Sequence, residues 1–455
     1  MVIVSESASS LKGFIAQTGL KKLPQTMVLR MVLAFILHRG RMSCSQAAGS
    51  IASETVHRGE LTRFMARPRW QKQPLNDPLR HALVKLESKR ETYIFIVDAT
   101  LTSRTGKKTE NTYSTNNRNR GQQTKNRRYG KRKIVYKKCH SFTFGLLITP
   151  SGMRVPQEIP HYTKEYCQKH HLEHRTTAEA AADMIGSLPV PQGAEVVVLG
   201  DTAYDADVVR KACQARGYTW VVPVNPERVY EGPRGQRPQV RSRLKDWTRL
   251  SLTSIRLRAS QGKYAGYRRL SKWRIGPKQK SRVYYAYQEE SAVRNVGCVK
   301  LVFSTMKPNL SKATPDDVKI LMTNATHLGA RDVIELYSLR WQIELFFKEL
   351  KSTLGFSQYS FQRFSAVQAW VETAITAVLF LETLRAKRMA DRRLTAENRR
   401  WWSQQRLHGL CAAFRQECEG RELKYLATRL KTSGGIHKLK RLLAAALPPE
   451  FRTAT

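Results

Sequence analysis

The segment YSLRWQIELFFKELK, residues 337–351, sets a carboxylate, Glu344, and several cations into an apolar helical pattern. Its polar side chains recur at helical spacing, as Tyr337, Arg340, Glu344 and Lys351. In a continuous helix, at about 100° per residue, all four share one arc of about 60°. The apolar residues fill the neighbouring arc and predict a face packed on a core. The stripe therefore sets one acid among groups that bind phosphate.

The same stripe also has a purely structural interpretation. An Arg340–Glu344 pair at i,i+4 spacing stabilises a helix by about 0.2–0.5 kcal/mol and needs no further role. Two aspartates elsewhere in the chain favour a chemical role for the stripe instead. Asp98 ends the apolar run IFIVD, and Asp201 ends VVVLGD. Carboxylates at the ends of two neighbouring strands meet at the lip of a sheet, where Glu344 on a covering helix completes a set of three.

Three carboxylates together suit a hard cation. Magnesium prefers oxygen ligands and keeps water or substrate phosphate in the rest of its shell. Two such ions about 3.5–4 Å apart activate an attacking oxygen and stabilise a leaving one. Tyr337, Arg340 and Lys351 would then hold phosphates beside the metals, the arginine bidentately and the lysine as a point charge.

The elements that must position these residues alternate between strand and helix patterns. HSFTFGLLITPSGMRVPQEI predicts a hairpin around Pro150–Gly152, and EVVVLGD, YTWVVPV and VKILMTN predict buried strands. TTAEAAADMIGSL and DADVVRKACQARG predict helices, the second closed by Gly217. A hairpin followed by alternating helix and strand indicates an α/β fold, a mixed sheet with flanking helices.

The flanking regions differ in character. Three short helical patterns near the N-terminus, the last one cationic, fit a DNA-binding bundle or a plain helical bundle. Residues 103–138 carry 13 Lys or Arg and one acid, too polar to form a core, and predict a mobile arm that orders on phosphates. The C-terminal helices offer an oligomerisation face or core. The predicted regions are a helical DNA-binding region at 1–90, a catalytic core at 91–223 and 317–363, a β-rich insertion at 224–316 and a helical region at 364–455.

The charge of the whole chain indicates a polyanionic partner. Lys plus Arg number 79 and Asp plus Glu 36, a net charge of +43, which points to nucleic acid. A membrane surface is the other polyanion, but neither a basic amphipathic helix nor a lipidation motif is evident. Without a secretory signal, a cytoplasmic, nucleoid-associated protein is expected. Seven cysteines without a CxxC pair indicate reduced thiols, and HYTKEYCQKHH fits a polar loop better than a zinc site.

The Tyr-x2-Arg-x3-Glu-x6-Lys spacing of residues 337–351 resembles the Tyr-Arg-Glu-Lys motif of bacterial insertion-sequence transposases. These are Asp-Asp-Glu transposases of insertion-sequence family four and its close relatives. VDAT around Asp98 and GDTAYD around Asp201 agree with that branch, as does a β-rich stretch between the second aspartate and the glutamate. In organisation the similarity covers about residues 91–360.

This resemblance implies a ribonuclease-H-like catalytic core. Asp98, Asp201 and Glu344 would be both catalytic and metal-binding, holding two Mg²⁺ ions for which Mn²⁺ substitutes. Water at the metals would nick double-stranded DNA at the element end, and the freed 3′-hydroxyl would then attack target DNA without a covalent protein–DNA intermediate. The side chains expected to bind DNA phosphates near the cut are Tyr337, Arg340, Lys348 and Lys351.

The resemblance implies two further features. Some relatives flip a base near the cut and stack it on a Trp of the inserted domain, where Trp247 and Trp273 lie here; either could equally be a core residue. Asp205 is expected to cap or orient the following helix rather than to bind metal. Relatives commonly act as homodimers holding two DNA ends, which makes the C-terminal helices the candidate interface.

Two other functions compete with an active transposase. A transposase-derived protein could bind DNA without catalysis, although the presence of all three acids argues against decay. A nuclease on the same fold could cut without strand transfer, and it would not need to recognise a specific end.

Overall fold

A computed structural model describes most of the chain. The described residues are 3–38, 40, 42–52, 54–68, 70, 75–106, 108–116, 136–224, 227–230, 239–240, 252–258, 262–264, 267, 281–307, 317–431, 434 and 437.

The centre of the fold is a mixed sheet built on strand β1 (Tyr93–Arg104). On one side β1 pairs antiparallel with β3 (Tyr136–Ile148), which pairs antiparallel with β4 (Arg154–His161). On the other side β5 (Val196–Leu199) and then β6 (Thr219–Pro223) run parallel to β1. An antiparallel unit joined to parallel strands is the ribonuclease-H-like arrangement, so the predicted fold class is confirmed.

The same sheet continues through the predicted β-rich insertion. β10 (Lys319–Thr323) pairs with β6 and with β9 (Gly297–Thr305), which pairs with β8 (Ser281–Val293), and β8 pairs with β7 (Thr253–Arg258). All these pairings are antiparallel, and in the described part of the chain ten strands form one sheet. The described strands of 224–316 therefore extend this sheet instead of forming a sheet of their own.

The two ends of the predicted basic arm are strands. β1 and β3 stay paired as far as Arg104 and Lys138, and β2 (Tyr113–Asn116) pairs with the start of β3. The expectation that 103–138 lacks ordered structure is wrong at these ends, because the long β1–β3 ladder includes them. Residues 117–135, the rest of that arm, lie outside the described residues.

Local sequence signals place the turns and helices next to the sheet. The hairpin turn between β3 and β4 uses Gly152 at φ +79°, in the left-handed region that favours glycine. Helix α7 (Thr177–Gly186) begins at a capping box between Thr176 and Glu179, which satisfies two backbone donors. Helix α8 (Asp207–Ala215) follows β5, so the alternating pattern is as predicted.

Helices cover both faces of the sheet. Gly145 of β3 faces α7, where the Sδ of Met184 would lie 3.1 Å from an added Cβ. The preceding residue, Phe144, points to the opposite face of the sheet. Its ring packs on Phe346 and Phe347 of helix α10 (Trp341–Thr353). The α10 helix therefore lies on the face opposite α7.

The N-terminal and C-terminal helices share one core around the long helix α11 (Phe364–Ala390). Phe35 and Phe14 of the N-terminal region pack edge-on against Trp370 and Phe380 of α11. The α11 residues are mostly buried, so this helix is core and not an oligomerisation face. The other helices of these regions are α1 (Ser9–Ala16), α2 (Lys22–Leu37), α3 (Cys44–Ala48), α4 (Arg58–Ala66), α5 (Asp77–Val84), α12 (Ala396–Gln404) and α13 (Leu407–Leu430). Helix α6 (Lys164–His170) follows β4, and α9 (Ala330–Ser338) packs beside the sheet.

By length and composition alone α11 is apolar enough to cross a membrane, with a mean hydropathy of 1.5 over its most apolar window. However, 83 % of that window is buried inside the protein, as in the core helix of a folded domain.

Candidate active site

The β1–β5 pairing brings two of the three predicted acids side by side. The last paired residues of these parallel strands are Ile96 and Leu199, so Asp98 and Asp201 each lie two residues further on. Neighbouring strands are about 4.8 Å apart, which keeps the two carboxylates at one edge. Asp98 is not at a strand end as predicted, because β1 continues its pairing with β3 beyond this point.

The loop after β5 aims Asp201 through local hydrogen bonds. Its Oδ1 accepts the backbone N–H of Ala203 at 2.9 Å, at the start of a short 3-10 turn. Gly200 allows this turn to close, because an added Cβ would lie 2.8 Å from the Cβ of Tyr204. The Tyr204 side chain is buried. Burial and the charges of Asp98 and Asp201 raise the pKa of its hydroxyl, which keeps it neutral.

The predicted single helix over 337–351 is two helices. Helix α9 ends at Ser338 and α10 begins at Trp341, with Arg340 as its N-cap residue. At the junction, i,i+3 hydrogen bonds such as Arg340 N–H to Tyr337 O at 3.0 Å tighten the backbone. Tyr337 precedes this break but stays close enough to Arg340 and the two aspartates for their charges to act on the pKa of its hydroxyl. Glu344 and Lys351 stay two turns apart on one face of α10.

Arg340 connects two of the three acids. Its Nη1 donates to Asp98 Oδ2 at 3.1 Å, and its Nη2 donates to Glu344 Oε1 at 2.6 Å. The predicted Arg340–Glu344 pair is therefore present, and the same guanidinium reaches across to the sheet. The three side chains are 17–32 % exposed, so water reaches the site while each group is partly desolvated.

The three carboxylates act on one another electrostatically. Burial raises the pKa of Asp98, and the charges of Asp201 and Glu344 raise it further, against the opposing effect of Arg340. Burial acts to lower the pKa of Arg340, but its interactions with Tyr337 and then with the three carboxylates outweigh burial, and the pKa of Arg340 is raised. The site thus gathers three acids around one permanent cation, and their mutual repulsion favours any added positive charge.

The donor set suits a divalent metal ion, with one condition. Among the residues that the structure describes, no three His, Cys, Asp or Glu side chains are grouped closely enough to hold one ion. Arg340 occupies the space between Asp98 and Glu344 in this arrangement. A hard cation prefers carboxylate oxygens as its ligands. The site fits such a cation once the Arg340 guanidinium leaves at least one of these two carboxylates.

A cleft of about 440 Å³ opens beside this cluster and contains groups that the sequence patterns did not single out. Lys319, the first residue of β10, places its Nζ 4.5 Å from the Tyr337 ring centroid, and burial lowers the pKa of this lysine. Burial raises the pKa of Tyr337 to about 12. Trp341, next to Arg340, is 55 % exposed at the rim. The sequence signal that could have identified Trp341 was its position directly after Arg340 in the 337–351 motif.

The remaining predicted DNA contacts are dispersed. Lys348 is exposed on α10, one turn after Glu344. Lys351 donates to Thr100 Oγ1 at 2.7 Å and to Leu101 O at 3.1 Å, so it fastens α10 to β1 just beyond Asp98.

The predictions for the two tryptophans and for Asp205 have different outcomes. Trp247 and Trp273 lie outside the described residues. Asp205 does not cap α8, whose N-cap Ala206 has no side-chain bond. Asp205 is instead buried in ion pairs with Arg210 at 2.7 Å and Arg228 at 2.5 Å, and so holds α8 through Arg210.

A buried ion network fixes α10 from behind. Arg154 of β4 donates to Glu349 of α10 and to Glu382 of α11, both at 2.9 Å. Arg385 pairs with the same Glu382 at 2.5 Å, and Glu382 is fully buried. This network therefore ties α10, the helix that carries Glu344, to β4 and to α11.

Comparison with known protein families agrees with this fold and site. A family profile described as a DDE superfamily endonuclease matches residues 20–251, just over half of the 455 residues. A second profile, a transposase DDE domain, matches residues 163–380. Curated proteins give no significant match. The first match includes Asp98 and Asp201, and the second includes Asp201 and Glu344. The mixed sheet and the two family matches define a nuclease of the transposase type.

The chain belongs to the DDE superfamily of endonucleases and transposases. Its substrate class is therefore DNA.

Proposed function

We propose that this protein is a transposase of the Tyr-Arg-Glu-Lys branch. It would nick DNA at the ends of an insertion sequence and join the 3′-hydroxyl ends to target DNA. The observation that carries the proposal is the electrostatic cluster of Asp98, Asp201 and Glu344 around Arg340. The net charge of +43 supports binding to a DNA polyanion.

In this proposal Asp98, Asp201 and Glu344 hold divalent cations, as is general in this superfamily. When bound, two such ions lower the barrier to phosphodiester hydrolysis and strand transfer by stabilising charge on the attacking and leaving oxygens. Glu344 stands on a rigid helix, and Asp201 on a loop fixed by its own backbone bond, so the chain supplies preorganised oxygens.

The cations around the triad have separable roles in the proposal. Arg340 would transfer its two donors from the carboxylates to a phosphate, a planar fork matched to that group. Tyr337, neutral because its pKa is about 12, would donate a hydrogen bond to a phosphate oxygen. Lys348 is exposed and would contact the DNA backbone, whereas Lys351 would act mainly by holding α10 on β1.

The test is a cleavage assay with labelled DNA carrying the sequences that flank the gene. Wild type, Glu344→Gln and Asp201→Asn would be compared with and without Mg²⁺ or Mn²⁺. Asp207→Asn is the matched control, because Asp207 is exposed six residues after Asp201 and its ion-pair partners, Arg210 and Lys211, lie on its own helix.

Metal-dependent cuts at a defined end by wild type and Asp207→Asn, absent from the two triad variants, would support the proposal. Joining of the cut end to a second DNA would separate a transposase from a simple nuclease. Tight binding without cutting by any protein in either metal would favour a DNA-binding protein that has lost catalysis. Normal cutting by Glu344→Gln would show that the triad is assigned wrongly.

A further inference from the structure

Helix α12 has one face of exposed polar and aromatic side chains. Glu397, Arg400, Trp401 and Gln404 recur at i, i+3, i+4 and i+7, so they lie on one side of the helix, and all four are exposed. We name these four residues the α12 surface. The Trp401 side chain is 46 % exposed. None of the α12 residues is buried, so core packing does not explain a large apolar side chain at this position.

The Trp401 ring is held in place without being covered. Its neighbour Trp402 packs on the hydrophobic core, and the two rings meet edge to face with centroids 5.1 Å apart. Thr395 caps the helix by accepting the N–H of Asn398 at 3.2 Å, so α12 is a defined helix and not a frayed segment. An ordered, exposed indole is a typical feature of a recognition surface.

The surroundings of this surface are strongly basic. Residues 387–406 contain seven Lys or Arg and two acids, a net charge of +5 over twenty positions. Arg393 is 87 % exposed beside the start of α12. An arginine-rich surface around an exposed Trp is complementary to a polyanion and not to an apolar protein face.

The α12 surface is physically joined to the active-site helix. Arg406, just after α12, lies 3.6 Å from Glu349 of α10, and the Leu407 N–H donates to the same carboxylate at 3.4 Å. Glu349 is five residues beyond Glu344, about 7.5 Å along the helix axis. Lys348 is exposed between these points.

We propose that the α12 surface is a second contact site for the DNA backbone, engaged when the same duplex lies in the active site. This inference rests on the proposed function for the identity of the substrate. Arg400 contacts a phosphate, and the Trp401 ring packs on the adjacent deoxyribose. Glu397 lies on the same face, and its negative charge opposes binding. Arg400 and Trp401 therefore strengthen DNA binding, whereas Glu397 weakens it.

The experiment measures DNA binding by the full-length protein in EDTA, where no cutting occurs. Fluorescence anisotropy of a labelled duplex would be titrated over a series of salt concentrations for Arg400→Ala, Trp401→Ala and Glu397→Gln. Lys211→Ala is the matched control, because Lys211 is 75 % exposed on α8, which packs with α7 on the opposite face of the sheet. Circular dichroism would verify that each variant is folded.

Loss of one phosphate contact lowers the slope of log affinity against log salt by about 0.9, which is about eightfold in affinity at 0.1 M salt. We expect this change for Arg400→Ala. Trp401→Ala should bind more weakly with an unchanged slope, because its contact releases no counterion, and Glu397→Gln should bind more tightly. Lys211→Ala should match wild type.

Wild-type affinity and slope for both Arg400→Ala and Trp401→Ala would overturn the inference, even in a protein that cuts DNA normally. A shift from dimer to monomer in sedimentation, with DNA binding per protomer unchanged, would also overturn it and assign the surface to a second copy of the chain. Weakened binding by the α12 variants of a protein that never cuts DNA would support the inference while the proposed transposase activity fails.

Discussion

Replacing Arg340 with alanine should change metal binding and DNA cleavage in opposite directions. In the DNA-free protein Arg340 is the counterion of Asp98 and Glu344, so it competes with a divalent cation for their oxygens. With DNA bound, the same guanidinium is proposed to hold a phosphate. Arg340→Ala should therefore bind Mn²⁺ more tightly without DNA and cut DNA more slowly.

The size of the effect follows from the two hydrogen bonds. Nη1 lies 3.1 Å from Asp98 Oδ2, and Nη2 lies 2.6 Å from Glu344 Oε1. A hydrogen bond to a charged group contributes about 1.5–3 kcal/mol, and partial exposure places these bonds at the lower end. A metal ion that binds both Asp98 and Glu344 must displace at least one of these hydrogen bonds from Arg340. Its removal should tighten Mn²⁺ binding by about 1–2 kcal/mol, or roughly 5–30-fold.

Electron paramagnetic resonance of free Mn²⁺ would measure this affinity in the absence of DNA. Glu344→Gln should bind Mn²⁺ more weakly than wild type. Arg331→Ala is the control for net charge, because Arg331 is exposed at the start of α9, and it should leave Mn²⁺ binding unchanged. Cleavage rates of the same variants would be measured at saturating Mn²⁺.

Weaker or unchanged Mn²⁺ binding by Arg340→Ala would refute the competition between the guanidinium and the metal. Unchanged cleavage at saturating metal would refute the phosphate-holding role independently.

Three further predictions concern the framework around the site. Glu382→Gln leaves the two arginines that it pairs with buried and should lower the free energy of unfolding by about 3–5 kcal/mol; an unchanged urea midpoint would contradict this. Burial lowers the pKa of His140 to about 4, so the unfolded chain takes up this proton first as the pH falls. Stability should therefore drop by about 3 kcal/mol between pH 6.5 and 4, and His140→Gln should flatten that part of the urea-denaturation profile. Gly200→Ala should lose about 1–3 kcal/mol and slow cleavage because its Cβ has no room, whereas Gly186→Ala, with open space around it, should do neither.

Much of the fold was determined by local sequence patterns. Apolar runs of four or five residues became β5, β6 and β10, because strands covered on both faces need little else. The capping box at Thr176 and the positive φ of Gly217 fixed the start of α7 and the end of α8. Residue type alone also determined which acids and cations were available for chemistry.

Other features were decided by pairing between distant segments. Asp98 lies inside a strand because β1 has two partners of unequal length, which no window around Asp98 reveals. The described strands of 224–316 belong to the main sheet because β9 pairs with the edge of β10 that β6 leaves free. Pairing of this kind depends on which edges remain free after the rest of the chain has folded.

The tertiary structure also decided what the polar stripe does. Its spacing alone predicted one helix and one local ion pair. The break before Trp341 and the approach of β1 instead let Arg340 reach two acids 246 positions apart in sequence, Asp98 and Glu344. Lys351 bonds to β1 for the same reason. The sequence by itself determined the charges, whereas the packing of α10 on the sheet decided which of them meet, because only packing brings β1 and α10 within hydrogen-bonding distance.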